Sequence, residues 1–430
     1  MRFLSEPSIE SIRERFGTPV YVYDQRTLEA AAEAVKAFPA PCRLVGRFAM
    51  KALPTAAVLR IFDAKGLHVD ASSGFEAERA LAAGIAPEKI QITAQELPKD
   101  LKGLVQRGVL FNACSLHQLR RFGQLFAGGE LSVRINPGLG SGHNNRTNVG
   151  GQSSSFGIWH EKLPEVFAIA REFDLRLTGV HTHIGSGGDP EVWKRCAALT
   201  LGIARQFPDL RRLSLGGGFK VARMPDEQAA DLQAIGNALS PQIAEFLAAR
   251  GIAGQDFQIE IEPGTFLVAL AGAIVCEIVD VVDTGAGGHR FLKVDSGMTE
   301  LLRPSLYGAQ HPMHVVPRFR QEARRRAPGK DGAGDDGGQD DYLVVGHCCE
   351  SGDILTPAPG DPEGLAPRRL ARAEIGDTLV IEGAGAYASG MAASNYNAFP
   401  KAAEVLIDRD GEARLIRRRQ TLAQSLENEL

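Results

Sequence analysis

RLVGRFAMKALPTAAVLRIFDAKGLHVDASSGFEAERALAAG, residues 43–84, reads as two β–α repeats laid end to end. Its β-rich run Arg43–Met50 gives way to a helical pattern over Thr55–Ala64, and Leu67–Asp70 gives way to another over Glu76–Ala83. Such alternation builds a parallel sheet, because a crossover helix returns the chain to the start of the next strand. Working outward, Ile90–Thr93, Val109–Ala113, Leu131–Asn136, Leu175–His183, Leu210–Leu215 and Phe257–Glu262 are strand-like, with helical segments between them. Eight strands close a (β/α)8 barrel, and the span from Lys51 to Glu262 suits a barrel of about 250 residues. An open doubly wound sheet is the alternative that counting leaves.

Past residue 268 the pattern changes. Ile274–Val282, Phe291–Val294, Tyr342–Val345, Thr378–Glu382 and Glu404–Ile407 are strand-like and lack long intervening helices. Asp410-Gly411, between VLIDR and EARLIRRR, is a hairpin turn signal. The chain therefore reads as α/β: a (β/α)8 TIM barrel over residues 25–268 and a second, mostly β carboxy-terminal domain over 269–430. The short strand Val20–Tyr23 could join either, and residues 1–24 are expected to pack on the second domain. Residues 317–341 (PRFRQEARRRAPGKDGAGDDGGQDD) are poor in apolar side chains and rich in glycine and charge, so a flexible surface insertion is expected there.

The bulk properties exclude several classes. Of 430 residues, 44% are hydrophobic and 23% charged, enough to bury a full core, and the net charge of −4 recruits neither nucleic acid nor an anionic membrane. The apolar run Phe266–Cys276 is too short to span a bilayer. MRFLSEPSIESIRERFG at the start has no apolar signal core and mixes both charge signs, so it does not read as an export signal. Six cysteines are scattered without disulfide-framework or metal-ligand spacing. A cytoplasmic protein without a metal is the expectation.

In a (β/α)8 barrel, chemistry sits at the carboxy-terminal ends of the strands. There the first strand presents Lys51, the second Asp70-Ala71-Ser72, the fifth Arg134-Ile135-Asn136-Pro137 and the sixth HTHIGS (181–186). Gly216-Gly217-Gly218 follows the seventh and Glu262-Pro263-Gly264 the eighth. A lysine amine in a partly desolvated barrel mouth has a lowered pKa and can form an imine with an aldehyde cofactor. Three successive glycines let backbone N–H groups approach a phosphate, with Ser186 adding a hydroxyl. His183 is a flat ring able to stack on a pyridine face, and Glu262 could pair with a protonated pyridine nitrogen. Each residue alone has a structural reading: a solvated lysine, a loop, a core histidine, an ion-paired glutamate. Their convergence on one rim points to a phosphate-bearing cofactor.

YVYD (21–24), FAMKA (48–52), HTHIGSG (181–187), GGGF (216–219) and EPG (262–264) resemble the fold-type III pyridoxal-phosphate decarboxylases. RPSLYGAQH (303–311), CESGD (349–353), GAY (385–387), SNYN (394–397) and LIRRRQT (415–421) narrow the resemblance to the diaminopimelate decarboxylase family, with the motif order intact from about residue 18 onward. The resemblance implies pyridoxal 5'-phosphate as cofactor, with Lys51 as its covalent anchor and His183 stacked on its ring. Ser186, Gly216, Gly217, Gly218 and Tyr387 would hold its phosphate, and Glu262, with Gly264 in the same turn, would meet its pyridine nitrogen. Arg303 and Tyr307 would bind the substrate carboxylate remote from the reacting carbon, with Tyr387 also reaching the substrate. Cys349 and Glu350 would enter from the partner of a homodimer, Cys349 near the reacting carbon as a catalytic group and Glu350 on the substrate amino group. The implied reaction is decarboxylation of meso-2,6-diaminopimelate to L-lysine, the last step of lysine biosynthesis.

The match departs from the family in places. Its EPG is usually followed by Arg, and here by Thr265, which removes a donor worth roughly 1.5–3 kcal/mol to an anionic group if charge-assisted. Ser155 stands in SSFGI where relatives tend to carry Lys, and the 317–341 insertion looks long. The alternatives are a decarboxylase of the same family acting on another diamino acid or a polyamine or siderophore intermediate, and a cofactor carrier built on the same barrel. Glu262 argues against a racemase, which resembles sequences with Arg in that role.

Overall fold

The computed structural model describes residues 1–139, 150–183, 187–318 and 338–430. They divide into two compact units, one of Leu28–Ala222 with Gln228–Leu267, the other of Met1–Thr27, Arg223–Glu227 and Val268–Leu430.

The first unit is a closed barrel. Its strands are β1 (Arg43–Ala49), β2 (His68–Ala71), β3 (Ile90–Ile92), β4 (Leu110–Ala113), β5 (Glu130–Asn136), β6 (Arg176–His181), β7 (Arg212–Ser214) and β8 (Gln258–Ile261). All neighbours pair in parallel; β4 joins β5 with Asn112 opposite Ser132, and β8 returns to β1 with Gln258 opposite Arg43. That return excludes the open doubly wound sheet. Because helices cover the outside and the barrel fills its own interior, the strands bury both faces, as in Phe48, Val69, Ile92, Val133, Leu213 and Ile261. All eight expected strands are present. Boundaries differ by a residue or two, and β6 ends at His181, which puts His183 on the loop beyond it.

Strand-to-helix turns are set by local hydrogen bonds. Ser73 caps the helix Gly74–Ala82 by accepting from the Glu76 N–H (3.0 Å), while the Glu76 carboxylate reaches back to the Ser72 N–H (2.6 Å). Ser115 and Gln118 repeat this before Leu116–Leu125, with Gln118 accepting from the Cys114 N–H at 2.7 Å. These reciprocal pairs satisfy N–H groups that a helix start leaves unbonded.

The barrel interior holds an ionic layer that its apolar strands do not announce. Arg47, 1% exposed, grips Glu260, 2% exposed, through Nε–Oε2 (2.9 Å) and Nη2–Oε1 (3.1 Å). Arg212 approaches the same carboxylate at 3.4 Å and the Gln91 amide oxygen at 3.2 Å. Burial alone would raise the Glu260 pKa, but Arg47 and Arg212 outweigh it and hold the group at about 2.

In the second unit, Val20–Asp24 runs centrally, antiparallel to Gly272–Asp283 and parallel to Ala403–Ile407. The two neighbours place Val20 beside Val275 and Ala403, so this strand belongs with the β unit and not the barrel. Its core takes Ile9 and Ile12 from the helix Glu6–Phe16, Val22, Val275, Val380 and Val405. The hairpin at Asp410-Gly411 forms, with Gly411 at φ +88° and Ala403–Ile407 antiparallel to Ala413–Arg417. Most of the expected 317–341 insertion lies outside the described residues; Gln339 to Asp341, however, open the strand Gln339–Val345 and are not loop. Among the described residues, no helix is long and apolar enough to cross a membrane.

Candidate active site

β1 leads into a one-turn 3-10 helix, Met50–Ala52, in which Met50 and Ala52 are buried and Lys51 is exposed. Its anchored neighbours leave only the amine projecting. Among the described residues that amine has no hydrogen-bond or ion-pair partner. Its charge acts on the buried Asp70 and on Glu76. The Pro263 carbonyl accepts from the Ala49 N–H (3.3 Å), which brings the Glu262-Pro263-Gly264 turn against the lysine turn. A Cβ on Gly264 would stand 3.3 Å from that of Ala49 and 3.4 Å from that of Ala52. Gly264 is the residue that lets these turns meet.

Glu262 is buried at the end of β8, with both oxygens engaged. Oε2 lies 2.8 Å from His181 Nε2, and Oε1 accepts from the Ser214 hydroxyl at 2.8 Å. Burial raises its pKa, but the His181 and Ser214 contacts more than offset this and hold it below the ordinary carboxylate range. Asp70, buried at the end of β2, goes the other way: burial and then the charge of Glu262 push it well up, and its Oδ1 has no partner. Two buried carboxyls are therefore pushed in opposite directions, Glu262 down and Asp70 up, each by its surroundings. Asp70 was legible at a strand end, but nothing in the sequence gave it this role. His181 was missed in the same way, standing two residues before the histidine that drew attention.

His183 is half-buried and accepts at Nδ1 from the Gly217 N–H (3.1 Å), so its remaining proton sits on Nε2. Burial first, then the charges of Arg134 and Lys51, push its pKa well down, and the ring is neutral. It lies near-parallel to His181, at 25° with centroids 6.4 Å apart. The ligating atoms of His181, His183 and Glu262 lie within 4.8 Å of one another, a spacing a metal could use, but His181 Nε2 is already given to Glu262.

The glycine run after β7 fits its space tightly. A Cβ on Gly217 would come 2.2 Å from the Glu262 carbonyl oxygen, and one on Gly216 (φ +71°) 2.6 Å from that of Thr182. Of the three N–H groups, that of Gly216 donates to Ser214 Oγ (3.2 Å) and that of Gly217 to His183. The structure therefore narrows the expected phosphate cradle: among the described residues, Gly218 alone of the three keeps an uncommitted N–H. Ser186 lies outside the described residues.

The remaining expected residues belong to the β unit. Arg303, half-buried on the short helix Arg303–Tyr307, stands over the rings of Tyr307 (5.5 Å) and Tyr387 (5.6 Å), with its Nε buried and unpartnered. Tyr387 has φ +55°, a left-handed conformation that a bulky side chain adopts at a cost of about 1–3 kcal/mol. Cys349 and Glu350 are exposed. The Cys349 N–H donates to Asn397 Oδ1 (2.8 Å), and the Tyr396 hydroxyl donates to Glu350 (3.2 Å), so SNYN holds CESGD in place. Cys348 is buried, its thiol pushed up to about 12 by burial and by Asp353.

A free lysine amine, a buried ionised carboxylate, a neutral ring and an uncommitted backbone N–H suit a phosphorylated pyridine aldehyde. These features on a closed (β/α)8 barrel define a pyridoxal-phosphate enzyme. The family model for "Pyridoxal-dependent decarboxylase, pyridoxal binding domain" matches residues 25–269. Diaminopimelate decarboxylase of Escherichia coli is 36% identical over 99% of this chain and 97% of its own. The Streptomyces coelicolor enzyme is 36% identical over 99% and 92%. A crystal structure of diaminopimelate decarboxylase superposes with a TM-score of 0.87 at 35% identity, covering 100% of this chain and 97% of the other. The chain belongs to the diaminopimelate decarboxylase family of fold-type III pyridoxal-dependent decarboxylases. It is a carboxy-lyase acting on a small molecule, and its cofactor is pyridoxal 5'-phosphate.

Proposed function

We propose that the protein converts meso-2,6-diaminopimelate to L-lysine and carbon dioxide, as a cytoplasmic homodimer. Glu262 carries the reaction class: a buried carboxylate kept ionised by His181 and Ser214 is the partner a protonated pyridine nitrogen requires. Residues 25–268 would form the cofactor domain, and residues 269–430 with 1–24 the domain that recognises substrate.

Lys51 would hold the cofactor covalently. When bound, the cofactor supplies an electron sink for the pair left on the α carbon. His183, with Nδ1 pinned by Gly217, offers a ring whose orientation is fixed before substrate arrives. Gly218 and Tyr387 would hold the cofactor's phosphate, with Ser186 as a third donor. Arg303 and Tyr307 fix the remote carboxylate, so that the reacting carboxylate is chosen by position. The α C–C bond to that carboxylate then breaks, carbon dioxide leaves, and a proton delivered near the partner's Cys349 restores the α C–H. Glu350 of the partner subunit reads the substrate amino group; its exposure here is consistent with a role across a subunit boundary.

Thr265 favours the second reading, a family member for a different diamino acid or a polyamine or siderophore intermediate. Carbon dioxide release from a panel of meso-diaminopimelate, lysine, ornithine, arginine and a carboxylated polyamine separates the two. The first reading expects meso-diaminopimelate to be preferred in kcat/KM; preference for a substrate without a remote carboxylate would reject it.

A further inference from the structure

Among the described residues, six guanidinium groups of the β unit carry a buried N–H donor with no acceptor; Arg13, Arg290 and Arg417 also hold a carboxylate, whereas Arg223 (at Nη2), Arg303 (at Nε) and Arg368 (at Nε and Nη2) form no ion pair. His311, also buried, is surrounded by the same three. Its Nδ1–H donates to the Glu382 carbonyl (2.9 Å), leaving Nε2 without a partner. Burial, then the charges of Arg223, Arg303 and Arg368, press its pKa down to about 3, so it adds no charge. Burial and the neighbouring Arg303 lower Arg223 to about 9, which leaves it cationic at neutral pH.

The acids nearby do not close the account. Glu227 acts on Arg223 electrostatically, but its carboxylate accepts from the backbone N–H groups of Arg223 (2.7 Å) and Met224 (3.1 Å), not from the guanidinium. Asp226 faces Arg368. The carboxylate of Glu382 is taken by the Arg2 N–H (2.5 Å) and His314 (3.0 Å). Among the described residues no carboxylate bears on Arg303, whose electrostatic neighbours are Tyr387 and Tyr307. Buried guanidinium donors that no acceptor meets are expensive, and a bound anion is one group that would satisfy them.

Arg223 is also held in position. Its Nε donates to the Gly383 carbonyl (3.0 Å), and Gly383, at φ +67°, leaves room that a Cβ would close to 3.1 Å from Arg223 Cγ. Fixing Nε in this way leaves Nη2 as the free end. Arg303 is oriented by the two tyrosine rings it covers. Both cations are therefore oriented in advance, which lowers the entropic cost of binding.

We infer that Arg223 is a specificity-determining residue, the second cation for the remote carboxylate of the substrate, acting with Arg303. This rests on the diaminopimelate reading above. A carboxylate shared by two guanidiniums satisfies both unmatched donors. Substrates that end in an amine alone gain nothing from Arg223 and leave its charge unpaired.

The test uses holoenzyme of the wild type, Arg223→Gln and Arg223→Lys. Two quantities are read: KM and kcat for meso-diaminopimelate, and calorimetric affinity for pimelate, a dicarboxylate with no amine to react. Arg223→Gln is expected to raise KM about 10- to 100-fold, the loss of one charge-assisted hydrogen bond, with kcat changing less. Pimelate affinity falls by a similar factor, Arg223→Lys is intermediate in both, and the melting temperature of ligand-free Arg223→Gln does not drop. Turnover of meso-diaminopimelate by the wild type with an unchanged KM in Arg223→Gln overturns the inference and leaves the reaction standing. A wild type inactive on meso-diaminopimelate overturns the reaction instead. In that case, pimelate binding that is weakened by Arg223→Gln still assigns the anion site, and binding that is equal in both or absent from the wild type removes it.

Discussion

Glu262 and His181 face each other at the ends of β8 and β6, across the end of β7, Oε2 to Nε2 at 2.8 Å, both buried. Burial raises the Glu262 pKa and the contact outweighs it, whereas at Asp70 burial and the charge of Glu262 outweigh the Thr93 hydrogen bond and the nearby cations. Charge at Glu262 is thus a product of its neighbours, and the proposed pairing with a pyridine nitrogen depends on it.

Glu262→Gln keeps the shape and removes the charge. The expected outcome is a fall in kcat of about 10²-fold or more, equivalent to roughly 2.7 kcal/mol of transition-state stabilisation, with cofactor still bound through Lys51. Steady-state rates alongside the cofactor absorbance check this. A kcat within tenfold of wild type would remove Glu262 from that role.

Gly217→Ala places a methyl group 2.2 Å from the Glu262 carbonyl oxygen, against backbone that cannot rotate away. The turn must shift, at about 1–3 kcal/mol, and the shift disturbs the Gly217 N–H bond to His183 as well. Cofactor should be lost faster on dialysis, and the melting temperature should fall. Gly202→Ala is the control: it lies in the helix Pro190–Ala204 with nothing within 4 Å of the new methyl, and should be neutral or stabilising by about 0.5–1 kcal/mol. Equal behaviour of the two variants would count against the steric account.

The barrel was legible because helix and strand alternate locally, and each strand end could be counted from its own flanking signals. Strand-end chemistry follows from that count, which is why Lys51, His183, Gly216 to Gly218 and Glu262 are legible in the sequence. What escaped depends on partners far apart in sequence. Val20–Asp24 could not be assigned from its own residues, since its parallel neighbour is Ala403–Ile407. Arg47 and Glu260 each look like a single charge inside an apolar strand; only closure of β8 onto β1 makes them a pair. Arg223 sits in the five-residue excursion Arg223–Glu227, which carries no motif. The exposure of Lys51 was also beyond reach, because a short turn and a strand end look alike in FAMKA.

The Arg47–Glu260–Arg212 layer gives a pH-dependent contribution to stability. Glu260 titrates at about 2 in the folded chain and near 4.3 when unfolded, so its contribution is fully present above the unfolded value and is lost as pH falls toward 2. Glu260→Gln leaves Arg47 and Arg212 uncompensated in the interior and should cost about 3–5 kcal/mol near neutral pH. Urea unfolding of both proteins between pH 7 and pH 3 tests the sign. The gap between them should narrow on acidification, and a constant gap would refute the assignment.

Sharing of active sites across a homodimer makes a prediction independent of any single rate. Cys349 and Glu350 sit on an exposed loop that Asn397 and Tyr396 hold in place, ready to serve a neighbouring subunit. If each site takes Lys51 from one subunit and Cys349 from the other, then Lys51→Ala and Cys349→Ala subunits, each inactive alone, complement each other. In a mixed dimer, one site inherits both defects and the other inherits neither. Two-tag purification of the mixed species should therefore recover about half the wild-type activity per dimer, as two-fold symmetry requires. If both residues served the same site within one chain, every site in the mixed dimer would carry one defect and activity would stay at the level of the parents.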